Sequence, residues 1–271
     1  MTRPLLPVAA DVAARLSGSP LLSMLDIDGT LAPIVPRPQD AAVPGETRRL
    51  LAALAGQPDV IVAFVSGRAA ADVTRIAGVR GAWIIGNHGF EVLRPDGRVV
   101  AGAALGDTRG AIEAALQSIA AVVASMPGVI VEDKRWTASV HFRLAAPSVA
   151  APLRAAVRAA ADAHGLRMLE GKKVLEVRPN ADINKGTAAI SLTHEIIGGG
   201  PGAVLYAGDD ATDEDAFARL RAEIPAAVTV RVGHDAHTHT SAEFSLDDTV
   251  AMARFLDWIA TARGISARGA S

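Results

Sequence analysis

Cysteine is absent from all 271 residues. Disulfides, thiolate nucleophiles and cysteine-ligated zinc are therefore excluded, a composition that fits a reducing compartment. Aromatic residues make up only 4% of the chain, the net charge is −2, and there is no long basic run. A nucleic-acid surface needs clustered cations, with aromatics for stacking on single strands. No nucleic-acid partner is expected, and any affinity for phosphate must be local. Long hydrophobic runs are missing too. The most apolar later segment, 111–126, carries Glu113, Gln117 and Ser118 and reads as an amphipathic helix rather than a membrane span. Asp11 and Arg15 interrupt the N-terminal stretch, which lacks the sustained apolar core of a signal peptide. A soluble cytoplasmic protein with no membrane partner is the expectation. Glycine and proline are scattered without a period, which excludes collagen-like and low-complexity readings.

The rest of the composition, 50% hydrophobic and 21% charged, is ordinary for a globular chain. The length allows one large α/β domain or a core with a smaller companion. A helix is predicted over 5–17 and strands over 21–25, 60–65 and 82–85, with helices at 46–55 and 69–77 between them. Each of the three strands is apolar and ends in small or polar residues. This alternation predicts a doubly wound parallel sheet, whose ligands sit at the carboxyl ends of the strands. The rhythm then changes. A hairpin over 90–100 turns at Pro95-Asp96-Gly97, followed by a helix at 107–125, strands at 129–133 and 138–143, a helix at 148–164, and strands at 166–170 and 173–178 joined at Gly171-Lys172. That pattern suggests an antiparallel sheet covered by two helices, an α+β insertion over 104–179 in a core of 1–103 and 180–271. Alternation resumes with helix 185–196, strand 203–207, helix 212–220, strand 227–232 and helix 248–262.

Four strand-end or helix-start stretches carry candidate chemistry. In Asp26-Ile27-Asp28-Gly29-Thr30 two carboxylates stand two residues apart at a strand end, so both can face one site. One can attack phosphorus if a cation screens the charges, and the other can move protons; the pair alone equally fits an Asx turn. The stretch Gly208 to Asp215 holds five acids in seven residues. Their repulsion calls for a cation, and magnesium favours such oxygen ligands; acids also favour a first helical turn. Asp209 precedes that turn and is the better ligand. Ser66-Gly67-Arg68 offers a hydroxyl and backbone N–H groups at a helix start, an anion site or a plain turn. Lys185 in Asn184-Lys185-Gly186 can hold a phosphoryl oxygen, or stand solvated. His234, His237 and His239 resemble a metal tract, but a polar loop explains them better. Trp83 and Trp258 read as core.

In this order and at these strand ends, the four stretches resemble the haloacid dehalogenase (HAD) superfamily of phosphatases, across residues 26–215. The resemblance implies a Rossmann-like, HAD-like core with an inserted α+β cap. It implies Asp26 as nucleophile, Asp28 as general acid/base with its carbonyl on Mg2+, and Ser66 and Lys185 as phosphoryl holders. Asp26 and Asp209 become metal ligands, supported by Asp213 through water or Lys185. Thr30, Gly67 and Arg68 fall among the substrate contacts. Further stretches, GNHG at 86–89, VEDK at 131–134, SVHFR at 139–143 and VLEVRP at 174–179, are similar to trehalose-6-phosphate phosphatases. That likeness implies a sugar phosphate as substrate, with Glu132, Lys134 and Glu176 on the sugar hydroxyls. It adds Asn87 and His88 at the cleft and Arg143 and Arg178 near phosphate or sugar, although either arginine also suits a structural ion pair. A functional link to a trehalose-6-phosphate synthase goes with it.

Overall fold

The computed structural model describes residues 2–101, 108–171, 173–233 and 239–265. The chain divides into two compact units, Met1–Val100 with Ile183–Ser271, and Ala101–Asp182. The expected boundary at 103/104 lies outside the described residues; the return to the first unit falls three residues later than expected.

In the first unit the elements run β1 (Arg3–Pro4), α1 (Ala10–Leu16), β2 (Leu21–Leu25), α2 (Gly45–Ala55), β3 (Val60–Val65), α3 (Ala70–Ala77), β4 (Trp83–Gly86), β5 (Glu91–Leu93) and β6 (Val99–Ala101), whose last residue opens the second unit. The second unit holds α4 (Thr108–Val123), β7 (Ile130–Asp133), β8 (Ala138–His141), α5 (Ala150–Ala163), β9 (Leu166–Gly171) and β10 (Val174–Pro179). The first unit then resumes with α6 (Lys185–Ile196), β11 (Ala203–Gly208), α7 (Asp213–Glu223), β12 (Val228–Val232), β13 (Phe244–Leu246) and α8 (Thr249–Ala262).

The sheet of the first unit has the order β1-β13-β12-β11-β2-β3-β4-β5-β6. From β1 to β4 every pairing is parallel; β5 runs antiparallel to β4. Strands β2 and β11 are buried along their whole length because helices cover both faces. On one face Leu21, Leu25 and Phe64 pack with residues of α1, α2, α3 and α8; on the other Leu22, Met24 and Tyr206 pack with α6 and α7. This is the α/β fold with a parallel-sheet core that the alternation predicts. The chain leaves β2 toward β3 on one side and returns as β11 on the other. The carboxyl ends of β2 and β11 therefore flank the point where strand order reverses, the usual ligand crevice of such sheets.

Two short strands escape the sequence reading. The helix expected over 5–17 begins only at Ala10; the chain before it, rich in proline, is extended, and Arg3–Pro4 pairs with Phe244–Ser245. Pro4 and Pro7 cannot donate helical bonds, while Leu5 N donates to Ser245 O at 3.0 Å. Trp83 is buried as expected, and Trp258 packs partly buried, stacked on Phe255 at 5.9 Å.

The second unit is a four-stranded antiparallel sheet, β7-β8-β10-β9. Alternation along its strands sends Ala138, Val140, Leu175 and Val177 into a core with Ile112 and Ile119 of α4 and Leu153 and Val157 of α5. The opposite face carries the polar alternates. Among the described residues no helix is long and apolar enough to cross a membrane.

Candidate active site

Asp26 is the first residue past β2. Its N–H continues the ladder to Ala207 O at 2.9 Å, which fixes its backbone, and its side chain is 6% exposed. Lys185 arrives from α6. The start of that helix is pinned by a capping box: Thr187 N donates to Asn184 Oδ1 at 2.8 Å, and Asn184 N to Thr187 Oγ1 at 3.0 Å. Lys185 is thus the first helical residue, and its ammonium, 2% exposed, donates to Asp26 Oδ1 at 2.9 Å and Asp213 Oδ1 at 2.8 Å.

Asp213 opens α7 and is fully buried. Its Oδ1 also accepts from Tyr206 at 2.8 Å, and its Oδ2 accepts from the N–H groups of Asp209 and Asp210, each at 3.1 Å. Asp210 in turn caps the helix, its Oδ1 accepting from Thr212 N at 2.8 Å and Asp213 N at 3.1 Å. The acidic stretch after β11 is therefore both a helix start and, at Asp213, a buried charge.

One oxygen from each of Asp26, Asp209 and Asp213 lies within 4.8 Å of the others. Asp213 has both oxygens engaged by Lys185, Tyr206 and two amides, which leaves Asp26 and Asp209 as the better ligands. Gly29, in the left-handed region at φ 76°, admits Asp209 so closely that a Cβ there would fall 2.0 Å from Asp209 Oδ2. Burial pushes Asp26 up despite Lys185, and Asp213 and Asp210 add to the push. Burial likewise raises Asp209, to about 7, helped by Asp210 and Asp213. Burial would lower Lys185, but Asp213, Asp26 and Asp210 override it and hold the ammonium charged. Burial acts to raise Asp210 as well, but Lys185 and the bonds from Thr212 win and keep it below the usual carboxylate range. A pair of carboxylates resisting ionisation beside a fixed lysine is a donor set that fits a hard divalent cation.

Asp28 stands apart from that group. Arg68 grips it with two bonds, Nε to Oδ2 at 2.5 Å and Nη2 to Oδ1 at 2.8 Å, and also donates to Pro38 O at 3.0 Å. Arg68 follows Ser66 and Gly67 in the turn after β3, where Ser66 Oγ accepts from Arg68 N at 3.2 Å. Asn87 and His88, just past β4, are laced to the same turn: Asn87 N donates to Arg68 O at 2.8 Å and His88 N to Ser66 O at 2.9 Å. Thr30 is wholly buried, its hydroxyl without a hydrogen-bond partner.

The remaining candidates lie in the second unit. Glu132, Ser139 and Glu176 are in register across β7, β8 and β10, all on the face away from the helices. His141 Nε2 lies 3.0 Å from Glu132 Oε2, and Lys134 Nζ 3.9 Å from it. Arg178, 6% exposed, donates to Glu176. The structure thus pairs Arg178 with a neighbouring acid, whereas Arg143 lies exposed in the turn after β8. His234 and His237 lie outside the described residues.

A family model described as trehalose-phosphatase matches residues 24–250. The chain belongs to the trehalose-phosphatase family. Among relatives, it is 39% identical over 257 residues to a trehalose-phosphate phosphatase of Mycobacterium avium, covering 92% of this chain and 64% of that protein. The chain thus spans just under two thirds of that relative's length. Among solved structures, a trehalose-6-phosphate phosphatase related protein is 27% identical with a TM-score of 0.75, covering 89% of this chain and 97% of the other. The Aspergillus fumigatus trehalose-6-phosphate phosphatase is also 27% identical, with a TM-score of 0.69 over 96% and 99% of the two chains.

Sequence reasoning missed three residues that adjoin the candidate site residues. Tyr206 orients Asp213, His141 touches Glu132, and Glu91, a buried acid at the start of β5, accepts from Asn87 Nδ2 at 3.3 Å. Only Glu91 left a trace in the sequence, as a lone charge amid Phe90, Val92 and Leu93.

Proposed function

We propose that this chain hydrolyses trehalose 6-phosphate to trehalose and phosphate, in two steps through an aspartyl phosphate on Asp26. The observation that carries this reading is the buried Asp26 carboxylate at the end of β2, held by Lys185 in a chain of the trehalose-phosphatase family. A carboxylate fixed through one oxygen keeps the other for attack, and fixing it beforehand removes orientational cost from the reaction.

In the first step an Asp26 oxygen bonds to phosphorus as the bond from phosphorus to the sugar O6 breaks, and the departing oxygen takes its proton from Asp28. In the second, Asp28 takes a proton from water, the water oxygen bonds to phosphorus, and Asp26 is released with inorganic phosphate. Arg68 occupies both oxygens of Asp28, so proton transfer requires the guanidinium to let one go, and the arriving phosphate is the anion that can draw it away. Ser66 and Lys185 hold phosphoryl oxygens. Asp26, Asp209 and the carbonyl of Asp28 would hold Mg2+, with Asp213 fixing Lys185 behind them. When bound, the ion neutralises charge between carboxylate and phosphate.

Glu132, Lys134 and Glu176 are assigned to the sugar hydroxyls, since carboxylates accept from hydroxyls and an ammonium donates to them. Their place on one polar sheet face supports this. The test is phosphate release from a panel of sugar phosphates, with magnesium and with a chelator. Magnesium-dependent release from trehalose 6-phosphate, with little from glucose 6-phosphate or sucrose 6-phosphate, is expected. Release from another member alone would discard the substrate, and release from none would discard the activity.

A further inference from the structure

The geometry points to Glu91 as a positioning residue that locks the Ser66–Arg68 turn and the Asn87–His88 turn together, and so sets where the Ser66 hydroxyl and the Arg68 guanidinium stand. The inference rests on the phosphatase reading for its consequence in catalysis, but its structural part stands alone.

Glu91 opens β5 and lies opposite Gly86 of β4. Its side chain is buried, 8% exposed. Oε2 accepts from two donors that belong to different segments. One is Ala70 N at 2.9 Å, the other Asn87 Nδ2 at 3.3 Å. Ala70 is the first residue of α3, whose N-cap Ala69 offers no side-chain bond. An orphan N–H at a helix start is thus satisfied by a carboxylate 21 positions along the chain, where the helix dipole also favours negative charge. The same oxygen restrains the side chain of Asn87.

That restraint falls on strained backbone. Asn87 and His88 are both left-handed, at φ 51° and 58°, and Gly89 follows at φ 109°. Two successive non-glycine residues in that region are costly and persist only where the surroundings over-determine them. Here the surroundings are the Ser66–Arg68 turn and Glu91. Asn87 N and His88 N bond to Arg68 O and Ser66 O. The His88 ring lies so close to Gly67 that a Cβ there would meet its Nε2 at 2.5 Å, so the two turns fit as mould and cast. A chain of direct contacts therefore runs from Glu91 through Ala70 and Asn87 to the Ser66–Arg68 turn, and from Arg68 to Asp28. Glu91 touches none of the reacting atoms on this reading; it acts through the turn.

Three variants and two measurements test this. In Glu91→Ala, amide hydrogen exchange at Ala70, Asn87 and His88 should quicken at least tenfold, with the rest of the first unit unchanged. kcat on trehalose 6-phosphate should fall at least tenfold while KM moves less than threefold. Glu91→Gln keeps an oxygen acceptor in place and should restore most of kcat. If Glu91→Ala does not fold, Glu91→Asp, one methylene too short to reach both donors, should show the same pattern in weaker form. Unchanged exchange in the variants would overturn the lock. Quickened exchange with the parent's kcat would leave Glu91 a structural residue only and overturn the positioning role. Absence of activity in the unaltered chain would count against the phosphatase reading instead, and exchange would still decide the lock.

Discussion

In the first unit Asp26, Lys185 and Asp213 gather at a strand end and two helix starts, buried and joined to one another; in the second Glu132 stands on a sheet face, half in solvent, beside His141 and Lys134. Lys185 has three acids around it and is 2% exposed, while Glu132 meets His141 and Lys134 with 41% of its side chain exposed. The difference follows from position. A side chain past the end of a strand can be enclosed by the next turns, whereas one on an open sheet face cannot. Buried charges that lose a partner are left uncompensated, and charges at the surface are not. The two clusters should therefore respond to substitution on different scales.

The largest contrast is in Lys185→Met. It removes the cation from between Asp26 and Asp213 and should cost about 3–5 kcal/mol, read by urea unfolding, with turnover lost. Asp26→Asn should abolish turnover too, yet leave stability equal or higher, because it takes one charge out of a crowd of acids. If the two variants unfolded alike, the buried cluster would not be an electrostatic unit at all.

In the second unit the expected effect is on selectivity. Glu176→Ala should lower kcat/KM on trehalose 6-phosphate by roughly 10- to 100-fold, the scale of one charge-assisted hydrogen bond of about 1.5–3 kcal/mol. Hydrolysis of p-nitrophenyl phosphate should stay within twofold. Because Glu176 partners the buried Arg178, Glu176→Gln is the cleaner variant: it keeps an acceptor for the guanidinium. Equal loss on both substrates would show that this face supports the fold rather than the sugar.

A third expectation concerns the metal. Asp26 and Asp209 are both raised by burial, Asp209 to about 7. An acid whose folded value is raised is ionised more easily in the unfolded chain, so folding loses stability as pH climbs from about 4, the unfolded value, toward 7. With a chelator, the thermal midpoint should fall across that window. With magnesium the fall should flatten, since the ion favours the ionised acids. Identical curves would remove the cation from this pair.

What the sequence made legible follows the same division. Leu21–Leu25, Val60–Val65 and Ala203–Gly208 could be read because strands covered on both faces must be apolar throughout. The acids that follow the first and the last of them could be read because a charge breaking an apolar run stands out. β1 and β13 span two and three residues, too few for any period, and exist because each extends the sheet beyond β12, with β1 at its edge. Glu91, Tyr206 and His141 are placed by tertiary register, opposite Gly86, over Asp213 and across from Ile130. Apart from the lone charge of Glu91 in an apolar run, no local pattern announces them. The pairing of Arg68 with Asp28, 40 residues apart, was hidden for the same reason. Both residues were legible as site members, but their bond depends on two strand ends lying side by side.

The smallest effect gives the sharpest control. Arg109 of α4 binds Asp133 with two bonds of 2.8 Å, and also Glu113 at 2.6 Å. Its hydrogen bonds are the main cause that holds Asp133 below the usual carboxylate range, against a smaller opposing push from burial. An acid with a lowered folded value contributes stability above its unfolded value near 4 and loses it as pH falls through the folded one. Arg109→Ala should therefore cost no more than about 1 kcal/mol at neutral pH, since both partners are well exposed to solvent. The gap between variant and parent should close below pH 4 and shrink with added salt. Lys185→Met should keep most of its cost in salt, because ions do not enter a buried cluster. A cost at Arg109 that matched Lys185, or that ignored salt, would mean that exposure is not what separates the two units.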